Sequence, residues 1–178
     1  MRLIQQLIHQ AVPDLNGRTF ERRSARGIIV DGTKILLIYT ERYNDYSFPG
    51  GGVAENEDLI VGLHRELAEE TGASRTKVLQ EFGYIDEYRP HHKPEYDLIH
   101  MESYFYVCEV DCDFENVQPE DYEIANGSYP VWIDIAEAIQ HNRKVMANQE
   151  PSMGFSIARE TIVLELVERE LLGKASAV

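Results

Sequence analysis

Residues 51–73 read GGVAENEDLIVGLHRELAEETGA, and the reading of this stretch decides the fold. It holds six acidic residues and one arginine, Arg65. Glu66, Glu69 and Glu70 fall within five positions. On an α-helix they share an arc of about 100°. Ile60, Leu63 and Leu67 occupy a separate arc roughly 60° wide beside it. One face therefore packs while its neighbour displays concentrated negative charge. Like charges at these spacings cost a few tenths of a kcal/mol per pair in water, and more when partly buried. The helix, expected from about Glu57 to Thr71 with Gly72 as its stop, calls for a compensating cation. Crowded oxygen ligands suit a hard ion, Mg²⁺ or Mn²⁺.

Outward toward the N-terminus, Phe48-Pro49-Gly50-Gly51-Gly52 reads as a short strand entering a glycine turn, where the backbone can approach another group closely. Tyr43 to Tyr46 form a polar loop. Ser24 to Val30 and Lys34 to Thr40 read as strands joined by a hairpin turn at Asp31-Gly32. The segment leading into them, RTFERRSARGIIV, carries Arg18, Arg22, Arg23 and Arg26 and is the most basic in the chain. Arg26 alternates in phase with Ile28 and Val30. That phase admits a phosphate-contacting arginine or a strand-edge cation in solvent. Residues 1 to about 12 place Leu3, Ile4, Leu7 and Ile8 at helical spacing, which predicts a short helix ended by Pro13.

Toward the C-terminus, Thr76 to Asp86 reads as a strand. Residues 87–97, EYRPHHKPEYD, read as a polar connection or a substrate-contacting lid and hold Arg89 and Lys93. Residues 98–110 form a long strand with Phe105 and Val107 on a core face and His100, Glu102 and Tyr104 on a face suited to a cleft. Residues 111–129 read as an acidic loop containing Glu120 and Glu123. A strand over Tyr129 to Ile133 follows. A capping box, Asp134 to Glu137, then opens a helix reaching about Val145. A last helix is predicted from Phe155 to Leu172. Short strands around one central helix, with helices late in the chain, give an α+β class with a mixed sheet.

The chain has 178 residues and a formal net charge of −14. It is long enough for one domain with terminal additions. Such acidity argues against a nucleic-acid partner, since phosphate backbones need a basic surface. It leaves room for a small phosphorylated substrate held through metal ions. No apolar run approaches the roughly 20 residues of a membrane span, and a cytoplasmic location with no membrane partner is expected. Cys108 and Cys112 fall on one strand face and read as buried thiols rather than a disulfide. The apolar N-terminal segment is expected to cap the core or to join a homodimer.

The glycine-to-acid stretch resembles the signature of the Nudix hydrolase family, the MutT-like proteins: Gly, five residues, Glu, seven residues, then Arg-Glu-apolar-x-Glu-Glu-x-Gly-apolar. Here Gly51 precedes Glu57 by that spacing, and Arg65-Glu66-Leu67-Ala68-Glu69-Glu70-Thr71-Gly72-Ala73 completes it. The departure is Ala73, where the family prefers a larger aliphatic residue. The resemblance implies an α/β/α sandwich with the stretch as a loop-helix-loop motif. Residues 1–178 then form one domain, with 1–17 a helical extension and a C-terminal helix within 147–178. It implies hydrolysis, with Mg²⁺ or Mn²⁺, of the pyrophosphate bond in a nucleoside diphosphate linked to another moiety. The linked compound is a nucleotide sugar, ADP-ribose, a nucleoside triphosphate or a dinucleoside polyphosphate.

Residue by residue, the resemblance makes Glu66, Glu69 and Glu70 metal ligands, with Glu57 a further acid and Gly51 the turn that shapes the metal loop. Arg65 orients a signature glutamate. The general base is Glu69 or Glu70, or an acid of the later loop, Glu120 ahead of Glu123. Arg26, Arg89 and Lys93 are the candidate phosphate contacts. Tyr88 and Pro90 lie fifteen and seventeen residues after the signature, and they leave the substrate choice open between ADP-ribose and dinucleoside polyphosphates. The alternative on the same fold is a non-catalytic, nucleotide-sensing domain.

Overall fold

The computed structural model describes residues 1–12, 14–112 and 114–173, and its layout follows from one helix. Helix α1 spans Leu59–Thr71. Asp58 caps it, its Oδ1 accepting from the Ile60 and Val61 amides at 2.9 and 3.2 Å. Gly72 ends it in the left-handed conformation, φ +64°, which a residue without a side chain adopts at least cost. Leu63 and Leu67 are fully buried, each contributing about 2 kcal/mol by leaving water.

They pack on a five-stranded mixed sheet. Its strands are β1 (Leu3–Ile8), β2 (Thr19–Ile28), β6 (Gly50–Val53), β7 (Ala73–Pro90) and β8 (Leu98–Cys112), in the order β1-β7-β8-β2-β6. The β1–β7 and β2–β8 pairs are parallel, and β7–β8 and β2–β6 antiparallel. A second, antiparallel sheet is built on β4 (Lys34–Thr40), with β3 (Val30–Asp31) and β5 (Asp45–Ser47) on one side and β9 (Ser128–Asp134) on the other. Helix α2 (Asp121–Asn126) precedes β9. Helices α3 (Ile135–Asn148) and α4 (Ile157–Val167) follow, α4 continuing as a π-helical turn over Glu168–Leu172.

Two apolar clusters hold the layers. Beneath α1, Leu63 and Leu67 meet Ala25, Ile29, Leu36, Val53, Tyr106 and Cys108. On the other side, Ile28, Phe48, Ile85 and Phe105 meet Ile139 of α3 and Val163, Leu164 and Val167 of α4. The sheets thus lie between α1 and the α3–α4 pair, the sandwich expected, with α+β content and a mixed sheet.

The N-terminus departs from expectation. Residues 3–8 form strand β1, not a helix. The apolar spacing of Leu3, Ile4, Leu7 and Ile8 fits either form, but an isolated helix this short is marginal. The open edge of β7 supplies ready backbone partners, and an irregularity between Leu3 and Gln5 turns Ile4 and Leu7 onto the core. Pro13, expected to end that helix, and residues 174–178 of the C-terminal segment lie outside the described residues. Strand β7 also runs through to Pro90, shortening the 87–97 connection, and the acidic 111–129 segment contains α2. Among the described residues no helix is long and apolar enough to cross a membrane.

Candidate active site

The polar face of α1 is organised by Arg65. Its Nη1 donates to Glu66 Oε1 at 2.7 Å and to Glu69 Oε2 at 3.3 Å. Its Nε and Nη2 donate to the two Glu57 oxygens, each at 3.3 Å, and Nη2 also reaches the Gly52 carbonyl at 3.1 Å. One guanidinium therefore ties three glutamates to the glycine loop. Glu57 also accepts from the Ala54 amide at 3.1 Å. The Arg65 hydrogen bonds, with that amide, hold its carboxyl below the usual carboxylate range. The hydrogen bonds to Glu57 and Glu66 hold the Arg65 proton all the more firmly.

The loop explains its glycines. A Cβ on Gly51 would lie 2.3 Å from Glu66 Oε2, and one on Gly50, at φ +126°, 2.2 Å from the Ala25 carbonyl oxygen. Only glycine lets α1 and β2 close on the loop from both sides. Arg26 of β2 donates through Nη1 to the carbonyls of Phe48 and Gly50. Its buried Nε has no hydrogen-bond partner among the described residues. The Gly50 amide donates to Glu70 Oε2.

Helix α2 brings further acids. Glu123 is buried and accepts from the Glu120 amide at 2.6 Å. Its carboxyl lies close to that of Glu70. Burial pushes the Glu70 carboxyl well above the ordinary range; Arg26 and the Gly50 amide pull it down, and Glu123 adds to the rise. Burial likewise raises Glu66, against the pull of Arg65.

These groups face a cavity of about 660 Å³, a size suited to a small-molecule ligand. One wall, from the five-stranded sheet and α1, carries Arg22, Arg26, Gly50 to Gly52, Arg65, Glu66 and Glu70. The opposite wall, from the four-stranded sheet, carries Thr40, Asp45, Ser47 and Ser128. Helix α2 adds Glu120, Tyr122, Glu123 and Asn126.

Of the residues expected from the sequence, the structure gathers Glu57, Glu66 and Glu69 around Arg65 and sets Gly51 against Glu66. Glu70, Glu120 and Arg26 line the cavity. Glu69 does not line it; its carbonyl accepts from the Gln118 amide at 2.7 Å. Arg89 lies 3.9 Å from Glu87 and under the Phe155 ring, and Lys93 lies in the 91–97 connection; neither lines the cavity. Arg22, Asp45 and Tyr122 are additions. Arg22 was within reach of a sequence reading, because on a strand it shares a face with Arg26. Tyr122 follows Glu120 by two positions. Asp45 carried no local signal; the packing of α4 beneath β5 gives it its place.

The donor set is all carboxylate and carbonyl oxygen, which fits a hard divalent cation. Two neighbouring carboxyls, Glu70 and Glu123, mark where such a charge would relieve repulsion. As placed, no three acids among the described residues converge on one point. Glu66 is turned to Arg65 and Glu70 to the Gly50 amide.

Comparison with known proteins gives a NUDIX domain match over residues 21–153. An RNA pyrophosphohydrolase of Caulobacter vibrioides (strain NA1000 / CB15N) is 57% identical over 37 residues, 21% of each chain. The RNA pyrophosphohydrolase of Pasteurella multocida (strain Pm70) is 38% identical over 50 residues, 27% of this chain and 25% of the relative. The chain thus spans a quarter or less of the length of these curated relatives. Among solved structures, the E. coli ORF135 protein is 18% identical with a TM-score of 0.46, covering 84% of this chain and 91% of that one. A MutT protein from Bacillus halodurans is 19% identical with a TM-score of 0.47, covering 67% and 72%.

Proposed function

The chain belongs to the Nudix family, and on that premise we propose that it is a divalent-metal-dependent pyrophosphohydrolase cleaving a nucleoside diphosphate linked to another moiety. The observation that carries this reading is the charged wall of the cavity, where the acids of α1 and α2 face the arginines of β2. Glu66, Glu69 and Glu70, with Glu57 behind Arg65, would hold Mg²⁺ or Mn²⁺. The bound ion neutralises phosphate oxygens and lowers the pKa of water. Glu69 would reach it by turning away from Arg65.

The chain's own residues supply the rest. Arg65 fixes the rotamers of Glu57 and Glu66 and so keeps the acids apart from one another. Arg22, exposed at the rim, and Arg26, which lines the cavity with it, take the anionic phosphate oxygens. Glu120, at the start of α2 and lining the cavity, accepts the proton of the attacking water. Glu123 holds the Glu120 amide and so sets where that carboxylate stands.

The test is a screen of nucleotide sugars, ADP-ribose, nucleoside triphosphates, dinucleoside polyphosphates and 5′-triphosphorylated RNA with Mg²⁺ and with Mn²⁺, products identified by mass. RNA belongs in the screen because the partial relatives are named for it. Release of a nucleoside monophosphate from a linked compound, absent in Glu70→Gln, is expected. No turnover above the Glu70→Gln control would overturn the proposal, and tight nucleotide binding without turnover would favour a sensing domain.

A further inference from the structure

The two walls of the cavity differ in chemistry. The wall from the four-stranded sheet presents the hydroxyls of Thr40, Ser47 and Ser128, with Tyr43 and Ser156 beside them, and none of these is cationic. Thr40 Oγ1 and Ser128 Oγ stand 3.2 Å apart and fix each other. Among them lies Asp45, only 3% exposed. Burial and the charges of Glu160 and Arg159 act on its carboxyl, but no hydrogen bond from a described residue reaches it. Among the described residues the buried side-chain atom left without a partner is Arg26 Nε, so the Asp45 oxygens open onto the cavity, where a group that enters can complete their hydrogen bonding.

A phosphate fits the other wall better, since there it meets Arg22 and Arg26 while here the cavity-lining charge is an acid. A neutral ring bearing adjacent hydroxyls fits this one. One carboxyl accepts from two neighbouring hydroxyls, while serine and threonine both donate and accept. We propose that Asp45, with Thr40, Ser47 and Ser128, forms the subsite that holds the hydroxyls of a substrate sugar ring, across the cavity from the arginines of β2. This rests on the pyrophosphohydrolase reading for where the phosphates lie. Burial and the neighbouring Glu160 push Asp45 up to about 7, so near neutrality the carboxyl both accepts and donates.

The test compares binding by calorimetry of ADP-ribose with an analogue lacking the terminal vicinal hydroxyls, and of ATP with 2′,3′-dideoxy-ATP. Each is run on the full chain, on Asp45→Ala and on Ser47→Ala, with melting curves confirming that the variants fold. Wild type is expected to prefer at least one diol form by about tenfold or more. Asp45→Ala should erase the preference and Ser47→Ala reduce it. The affected pair identifies the terminal sugar or the nucleoside's own ribose. Equal binding of both members of both pairs by wild type, or equal weakening of both members by Asp45→Ala, would overturn the proposal. Asp45→Asn repeats the measurement if the alanine variant does not fold. A diol preference without hydrolysis sinks the catalytic reading and leaves this one; hydrolysis without the preference does the reverse.

Discussion

Two charge clusters grip the segment Phe48–Gly50 from opposite ends, and they are built in opposite ways. In the core, Arg159 of α4 donates to Glu160 Oε1 through Nε at 3.0 Å and Nη2 at 2.7 Å, and through Nη1 to Glu87 Oε2 at 2.7 Å. Glu160 Oε2 accepts from the Phe48 amide at 3.0 Å. Arg159, Glu160 and Glu87 are all buried. In the cavity, Glu70 accepts from the Gly50 amide two residues on, but it shares space with Glu123, and the nearby Arg26 keeps one nitrogen unused among the described residues. The core cluster is closed, with its donors spent on its acceptors. The cavity cluster carries an excess of acid and an open face. A closed network fixes backbone, whereas an open one leaves charge for a ligand.

The largest expected effects pull these clusters apart. Glu70→Gln should lower turnover by about 10⁴-fold, because the charge that holds the metal is gone. It should not lower the melting temperature, since the amide keeps an acceptor for Gly50 and removes one of two crowded acids. Arg159→Met should do the opposite, costing about 3–5 kcal/mol of stability by stranding two buried carboxylates, as read by denaturant titration. Adding Glu160→Gln and Glu87→Gln should return part of that loss. A Glu70→Gln protein as unstable as Arg159→Met would erase the distinction between the clusters.

Asp45 joins the two, lining the cavity while feeling Glu160 and Arg159. Its folded pKa, about 7, lies above the ordinary 3.8, so the folded protein holds this proton more tightly than the unfolded chain. The stability cost is absent below about pH 4, grows as pH rises, and is complete above about pH 7. The advantage of Asp45→Asn over wild type should therefore widen between pH 5 and pH 8 by on the order of 3 kcal/mol. A difference that stays flat across that range would detach Asp45 from the core cluster.

The same contrast explains what could be read in the chain. Helix α1, its Gly72 stop and the Arg65–Glu69 pair are local, and the 3.6-residue period with i,i+4 spacing makes them legible, whereas the Asp58 cap and the reach of Arg65 to Glu57 and Gly52 are seen only in the structure. Strands β2, β4 and β8 follow from alternation and the Asp31-Gly32 turn. Strand β1 is not legible in this way, because four apolar residues fit two periods and only the edge of β7 decides between them. Arg89 and Lys93 stand out in the sequence by charge, and charge does not say which way a cation faces: Arg89 lies in β7 beside Glu87, and Lys93 in the connection after it. The core cluster was invisible: Glu87, Arg159 and Glu160 come together only when β7 packs on α4, 72 residues apart in the chain.

The smallest expected effect tests the open cluster at its rim. Arg22 is exposed, lines the cavity and stands over the glycine loop, its Nη2 2.9 Å from where a Cβ on Gly52 would lie. An exposed cation held by charge alone contributes to binding rather than to the fold. Arg22→Gln should therefore raise KM about tenfold, the loss of one charge-assisted phosphate contact of roughly 1.4 kcal/mol. kcat and the melting curve should scarcely move. Added salt should weaken substrate binding less in the variant than in wild type, because the screened charge is already gone. Lys93→Gln, on the connection outside the cavity, should change KM by less than about twofold at the same salt. If the two variants raise KM equally, the effect is one of net charge on a −14 protein, and Arg22 loses its place in the site.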